Sequence, residues 1–267
     1  MRGNLSCFLG RSLHSVEVDL GRDDRKRAFY LINIMEFAKP QKFTAIVLSK
    51  EKISAKVFLV RFSVPSTFSF IAGQTVMMYV APGVNRVMSL SSSPFETGYI
   101  EMIHDVSPGG PGSQWTVGAK IGDTIQMMGP LGRFVLSNPE ISKVFVATGT
   151  GVAPYYSMMR QLHHDGKHIS IKLYWGLRYE EDIFWQKEFE QMTRDFPEFS
   201  FSLTLSQSSS TWAGDRGHVT EDVIKNIETH RLSEFYLCGN KKMVREMTEQ
   251  LLSKNIEKSR IYSELFF

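Results

Sequence analysis

From Phe43 to about Phe134 the chain runs in short apolar stretches, FTAIVLSKE, KVFLVRFSV, TVMMYVA and YIEMIHDV, separated by clusters of Pro, Gly and Ser. Their β-branched and aromatic side chains suit a pleated, half-buried surface, and the close spacing predicts an antiparallel β-barrel. From Lys143 the pattern changes. KVFVAT is followed by VAPYYSMMRQLHHDG, ISIKLYWG by EDIFWQKEFEQMTRDF, FSFSLTLS by TEDVIKNIETH, SEFYLCG by KKMVREMTEQLLSKN, and RIYSELFF closes the chain. Short apolar runs alternating with helical periods predict parallel strands joined by right-handed helical crossovers. The predicted fold is therefore β + α/β, with an antiparallel barrel over residues 39–136 and a parallel-sheet α/β domain over residues 137–267. SNPE interrupts the pattern between them, near residues 135–142.

Composition narrows the function. A chain of 267 residues with 42% hydrophobic content can bury a core for two modest domains. A charged fraction of 22% and a net charge of +3, with no basic stripe, argue against nucleic acid as a partner. No apolar run approaches the roughly 20 residues of a membrane span, since even VFLVRFSV is broken by Arg61. The two cysteines, Cys7 and Cys238, build neither a disulfide framework nor a four-cysteine iron–sulfur or zinc site, which points to a reducing, cytoplasmic setting. His163, His164 and His168 lack metal-ligand spacing, so no metal is expected. The segment ahead of Met35 lacks the long apolar region of a secretory signal, and its Glu17, Asp19, Asp23 and Asp24 depart from a transit peptide. Residues 1–38 are expected to be a poorly ordered extension.

Candidate chemistry begins at GTGVAP, residues 149–154. The preceding run is the first strand of the parallel sheet, Gly149 and Gly151 make the turn, and Pro154 falls in the first turn of the next helix, where its missing N–H costs nothing. Such a turn brings the backbone close to a ligand and aims free N–H groups at a phosphate; a tight turn with no ligand fits the same residues. In RVMS, Arg86 is a candidate clamp for phosphate, and Ser89 shares its face only if the strand bends or bulges. An exposed arginine before a serine-rich loop is the plainer alternative. GGPGS, residues 109–113, runs glycines into a serine at a helix start, a second anion cradle or an ordinary turn.

Taken in order, RVMS, GGPGS, GPLGRF, GTGVAP, YWGLR, CGNKKM and Glu264-Leu265-Phe266 resemble the motifs of the ferredoxin-NADP reductase superfamily, over a stretch from about Phe43 to Phe267. The resemblance implies that the barrel binds FAD and the α/β domain binds NADH or NADPH, with hydride passing from nicotinamide to flavin. It implies that Arg86 pairs with the FAD diphosphate, that Gly110, Gly112 and Ser113 hydrogen-bond to it, and that Met88, Ser89 and Leu90 lie along the flavin, Ser89 at the hydride-accepting nitrogen. Gly149, Thr150, Gly151, Pro154, Arg178, Cys238 and Gly239 then line the nicotinamide nucleotide site. Cys238 and Glu264 attend the nicotinamide, and Phe266 covers the flavin ring, with Phe267 an extra residue beyond the usual ending.

Two departures stand out. Met88 replaces the aromatic residue that normally packs on the flavin, offering a sulfur–aromatic contact but no ring, and FMN remains open beside FAD. Ser206-Gln207-Ser208 has no adjacent base to pair with a 2′-phosphate and Arg216 is flanked by a glycine turn, which favours NADH over NADPH. Arg178 is expected either to serve the nucleotide or to pair with Asp182. The implied function is a flavoprotein oxidoreductase that passes electrons to a separate ferredoxin, flavodoxin or other redox protein or subunit. A flavin-bearing subunit of a larger complex, or a reductase of free flavin, are the alternatives.

Overall fold

Two six-stranded sheets make up residues 37–266, the described residues of this computed structural model. The extension expected over residues 1–38 lies, up to residue 36, outside the described residues, as does Phe267. The first sheet is antiparallel throughout, in the order β4-β3-β6-β1-β2-β5. Its strands are β1 (Gln41–Lys52), β2 (Val57–Ser63), β3 (Thr75–Ala81), β4 (Val84–Ser89), β5 (Tyr99–Asp105) and β6 (Thr124–Leu131). Along β1 the burial alternates: Phe43, Ala45 and Val47 point into the core, while Thr44, Ile46 and Leu48 are exposed. That period of two puts one face of the sheet against Phe62, Val76, Met102 and Met127.

Curling brings the edge strands together, and the Ser91 N–H donates to the Glu101 carbonyl at 2.8 Å, just beyond β4. One helix, α1 (Pro111–Gly118), packs on this half-closed barrel, with Trp115 stacked on Phe62. Pro111 stands in its first turn, and the Lys50 ammonium donates to the carbonyls of Thr116, Val117 and Ala119 at its other end, where a cation complements the helix dipole.

The second sheet is parallel, in the order β10-β9-β8-β7-β11-β12. It comprises β7 (Lys143–Thr148), β8 (Ile171–Leu177), β9 (Phe199–Leu205), β10 (Asp215–Arg216), β11 (Glu234–Asn240) and β12 (Ile261–Phe266). Helices α2 (Ala153–His164), α3 (Gln186–Asp195), α4 (Val219–Lys225) and α5 (Lys241–Ser253) cover its two faces. Central β7 shows why its sequence is apolar without alternation. Phe145 and Ala147 face Tyr155, Met158 and Phe189 of α2 and α3, whereas Val144 and Val146 face Val223 and Met247 of α4 and α5.

One local expectation changes. The helical period of EDIFWQKEFEQMTRDF extends back to residue 181, yet α3 begins at Gln186. Trp185 takes a left-handed φ of 54°, so that Phe184 packs edge-on to Trp175 and Trp185 stacks on Tyr156. Burying two large rings outweighs the local helical preference. The boundary segment is tied down as well: the Ser137 N–H donates to the Tyr236 hydroxyl at 2.8 Å, and its own hydroxyl donates to Glu234 at 2.6 Å. Lys143, 1% exposed, pairs with the same Glu234 at 2.8 Å and donates to the Asn138 carbonyl. Burial pushes the Lys143 ammonium below its ordinary range, and Glu234 opposes that shift.

The sheets meet along α2. Its Ser157 hydroxyl donates to the Ser92 carbonyl at 2.6 Å, its Arg160 pairs with Glu96 at 2.7 Å, and its Gln161 accepts from the Ser93 hydroxyl at 3.0 Å. Among the described residues no helix is long and apolar enough to cross a membrane.

Candidate active site where the two sheets meet

The parallel sheet starts in its middle at β7, grows outward through β8, β9 and β10, then returns to the other side of β7 with β11 and β12. Reversal of strand order opens a crevice at the carboxyl ends of β7 and β11, where ligands of such sheets bind. Gly149, Thr150 and Gly151 leave β7 there in a tight 3₁₀ turn, and Cys238 and Gly239 lie near the end of β11. A Cβ on Gly151 would stand 2.3 Å from the Cys238 carbonyl oxygen, and one on Gly239 would stand 2.2 Å from Thr148 Oγ1. The two glycines therefore pack directly against the Cys238 backbone and against Thr148, and no side chain fits at either. Pro154 is buried in the first turn of α2, where it starts the helix.

Three side chains from three strands converge beside this crevice. Ser89, the last residue of β4, donates its hydroxyl to Glu264 Oε2 at 3.0 Å. Glu264 lies on β12 in register with Cys238 on β11. Burial pushes the Glu264 carboxyl up to about 7, against the lowering effect of the Ser89 hydrogen bond. Burial, and then the charge of Glu264, raise the Cys238 thiol well above its ordinary range, so it is a neutral packing group and no nucleophile. Phe266 pairs in register with Asn240, whose side chain caps α5 by accepting from the Met243 N–H at 2.8 Å.

A second group lies further back along β4. Regular pairing of Arg86 to Met78, Val87 to Met77, Met88 to Val76 and Ser89 to Thr75 leaves no bulge between Arg86 and Ser89. Arg86 and Met88 thus share one face of the strand and Ser89 takes the other. Arg86 is exposed and makes no ion pair among the described residues; its guanidinium donates to the Asn85 carbonyl at 2.6 Å. It borders the start of α1: a Cβ on Gly110 would lie 3.9 Å from an Arg86 terminal nitrogen, and one on Gly112 would lie 3.0 Å from Arg86 Cγ. Gly110 is the N-cap and offers no side chain, so the first amides of α1, at Gly112 and buried Ser113, have no acceptor within the helix.

Other expected residues fall outside these groups. Leu90 is 0% exposed in the barrel core and its N–H goes to the Gln74 carbonyl at 3.0 Å, which leaves only its own carbonyl for a ligand. The expected Arg178–Asp182 pair does not form: Arg178 is exposed, while Asp182 pairs with Lys56 at 3.1 Å and accepts from the Tyr179 N–H. A contact across the sheets wins over the sequence neighbour. Arg216 donates to Ser208 Oγ and to the carbonyls of Ser209, Ser210 and Trp212, organising the loop after β9. Sequence reasoning passed over Ser91, His104 and the Arg160–Glu96 pair, because nothing local marks a residue that acquires its partner from another element.

Residues 44–136 match the oxidoreductase FAD-binding domain and residues 145–249 the oxidoreductase NAD-binding domain. Ferredoxin–NADP reductase B of Sorangium cellulosum is 30% identical over 207 residues, 74% of this chain and 81% of that protein. The chain belongs to the ferredoxin-NADP reductase superfamily. The toluate 1,2-dioxygenase electron transfer component of Pseudomonas putida is 28% identical over 204 residues, 74% of this reductase, which spans only 59% of that longer relative. The solved structure of the Amycolatopsis cytochrome P450 reductase GcoB superposes with a TM-score of 0.80 at 26% identity, over 85% of this chain and 70% of that one. The protein is an NAD(P)H-dependent flavoprotein reductase.

The residues present fit a dinucleotide flavin. Arg86 and the amides at the start of α1 are the groups that could hold its diphosphate, and a Cβ at Gly112 would stand 3.0 Å from Arg86 Cγ. Ser91 Oγ, immediately past Ser89 and Leu90, is buried with no hydrogen-bond partner among the described residues. Among the described residues there is no group of three or more His, Cys, Asp or Glu set to hold a metal.

Proposed function

We propose that the reductase accepts a hydride from NADH at the crevice between β7 and β11 and delivers the electrons to a separate redox protein. FAD, when bound, supplies an acceptor of two electrons that can release them singly. The chain's own residues bind and orient. Arg86, with the amides of Gly112 and Ser113, holds the diphosphate, and Met88 on the same face supplies a polarizable side chain in place of a stacking ring. Gly151 and Gly239 let the ends of β7 and β11 pack closely beside the nicotinamide, Cys238 packs next to them as a neutral thiol, and Glu264, its carboxyl pushed up to about 7, exchanges a proton near neutral pH beside Ser89. The observation that carries this reading is the convergence of Ser89, Glu264 and Cys238, from both sheets, at the switch point.

The choice of NADH is supported at the end of β9. All four terminal N–H groups of Arg216 have acceptors within its own loop, so none is left over for a 2′-phosphate. A protein acceptor is supported by the two-cysteine composition, which gives this sequence no cluster of its own, and by the name of the toluate relative as an electron transfer component. Cys238, a buried free thiol, suits a cytoplasmic setting. Anaerobic stopped-flow absorbance with NADH and NADPH tests the reading: rapid bleaching of bound flavin, faster with NADH, is the expected result. A protein that takes up no flavin, or whose flavin neither nucleotide bleaches, would overturn it.

A further inference from the structure

His104 stands at the end of β5 beneath the first turn of α1. Its Nδ1 is 2.6 Å from the Thr116 hydroxyl, one turn further along the helix. Its Nε2 has no partner among the described residues and would lie 3.6 Å from a Cβ on Gly112, on the glycine that Arg86 also flanks at 3.0 Å. The imidazole and the arginine stem thus border one residue of the helix start that is to receive the diphosphate.

We propose that His104 is a proton-linked positioning residue of the diphosphate cradle: neutral in the free protein, it takes up one proton from solvent as the diphosphate seats. The proposal rests on the FAD reading. The charges around the imidazole set the direction. Burial and Arg86 disfavour the imidazolium, and adjacent Asp105 favours it. Asp105 is partly engaged by the Ser107 N–H at 2.8 Å, and the Lys50 ammonium lies at the other end of α1, on the Thr116 carbonyl at 3.1 Å. An arriving diphosphate offsets Arg86 and adds negative charge close to Nε2, so the protonated form becomes the favoured one. From either neutral tautomer, protonation makes both ring nitrogens donors, Nδ1 to the Thr116 hydroxyl and Nε2 on the side of the glycine. A group whose pKa rises on binding contributes affinity in full below its free pKa and loses it as pH rises through its bound pKa.

Calorimetric titration of FAD into the flavin-stripped full-length protein, in buffers of differing ionisation enthalpy near pH 7, measures the protons taken up. The expected result is net uptake of up to about one proton, with the FAD dissociation constant rising by up to about tenfold per pH unit across the titration. His104→Gln, which keeps a hydrogen-bonding side chain for Thr116, loses that component, whereas His168→Gln, at an exposed histidine paired with Glu198 beside the other sheet, retains it. Should the variant fail to melt cooperatively, the assigned His104 Cε1–H resonance of the wild-type protein decides: FAD shifts its titration midpoint upward. FAD binding with no proton uptake, uptake unchanged in His104→Gln, or an unmoved midpoint overturns the role of His104 alone. A wild-type protein that binds no FAD overturns the flavin reading with it.

Discussion

Ser89 Oγ and Glu264 Oε2 are 3.0 Å apart, although 175 residues separate them in the chain, and this hydrogen bond joins the last residue of β4 to β12 across the two sheets. It holds the buried carboxyl against the barrel and lowers its pKa relative to burial alone.

Glu264 carries a pH dependence with a definite sign. Its pKa of about 7 in the folded protein stands above its ordinary 4.5, so the folded state binds the extra proton between those values and stability falls as pH rises through that window. The full difference is worth about 3 kcal/mol. Glu264→Gln should flatten that part of the pH–stability curve in urea melts and remove the inflection near neutral pH from the rate of flavin reduction. Ser89→Ala should move the inflection to higher pH.

Neighbouring glycines should respond differently to the same substitution. Gly151→Ala and Gly239→Ala force a Cβ to 2.3 Å and 2.2 Å from atoms of the opposing strand end, and each should cost about 3 kcal/mol or more and abolish nucleotide binding. Gly149→Ala meets no atom within 4 Å and bears only its φ of 57°, a cost of about 1 kcal/mol. Thermal melts with a nucleotide titration separate the two classes; equal losses at all three would show that the contact across the crevice is unimportant.

Arg160 should act as a clasp between the sheets. Its guanidinium pairs with Glu96 at 2.7 Å and lies over the rings of Phe95 and Tyr156 at 5.7 Å and 5.4 Å. Arg160→Ala removes that packing and leaves the Glu96 carboxylate with only the Ser93 N–H and Tyr99 hydroxyl, so a loss of about 1 to 2 kcal/mol is expected, with faster proteolysis between the sheets. Limited digestion that matches the wild type would limit the pair to a surface role.

Arg216→Ala should loosen the loop after β9 while leaving the ratio of NADH to NADPH use unchanged. Steady-state kinetics with both nucleotides check this. A selective loss of NADPH turnover would mean that the guanidinium leaves its loop to meet the phosphate.

Arg86→Ala should retain the fold, since Arg86 is exposed and unpaired among the described residues, and should weaken FAD binding by about 10- to 100-fold, the worth of charge-assisted hydrogen bonds. Quenching of flavin fluorescence on titration reads the change directly.

Much of the layout was legible in the pattern of residues. The apolar runs of β1, β2, β3 and β5 are marked by β-branched and aromatic residues between turn residues, and the strands and helices after Lys143 by their alternation, both of them local signals. The placement of Gly112 at a helix start and of Gly151 in a strand-end turn was legible for a related reason, since such turns are written within a few consecutive residues. Helix α3 was misplaced at its start because Phe184 and Trp185 answer to Trp175 and Tyr156, and Arg178 lost Asp182 to Lys56. His104 and Arg160 gave no signal at all.

By itself, then, the sequence determined whatever short-range order encodes: two sheets of different kind, their strands and most helices, and the glycine turns after β7 and before α1. Only the tertiary structure decided which distant groups share a charge or a proton. Ser89 meets Glu264, Arg160 meets Glu96, and His104 sits under Gly112 because packing brings their elements within hydrogen-bonding or van der Waals range. Electrostatic effects depend on separation in space and on burial, and neither is a property of position along the chain.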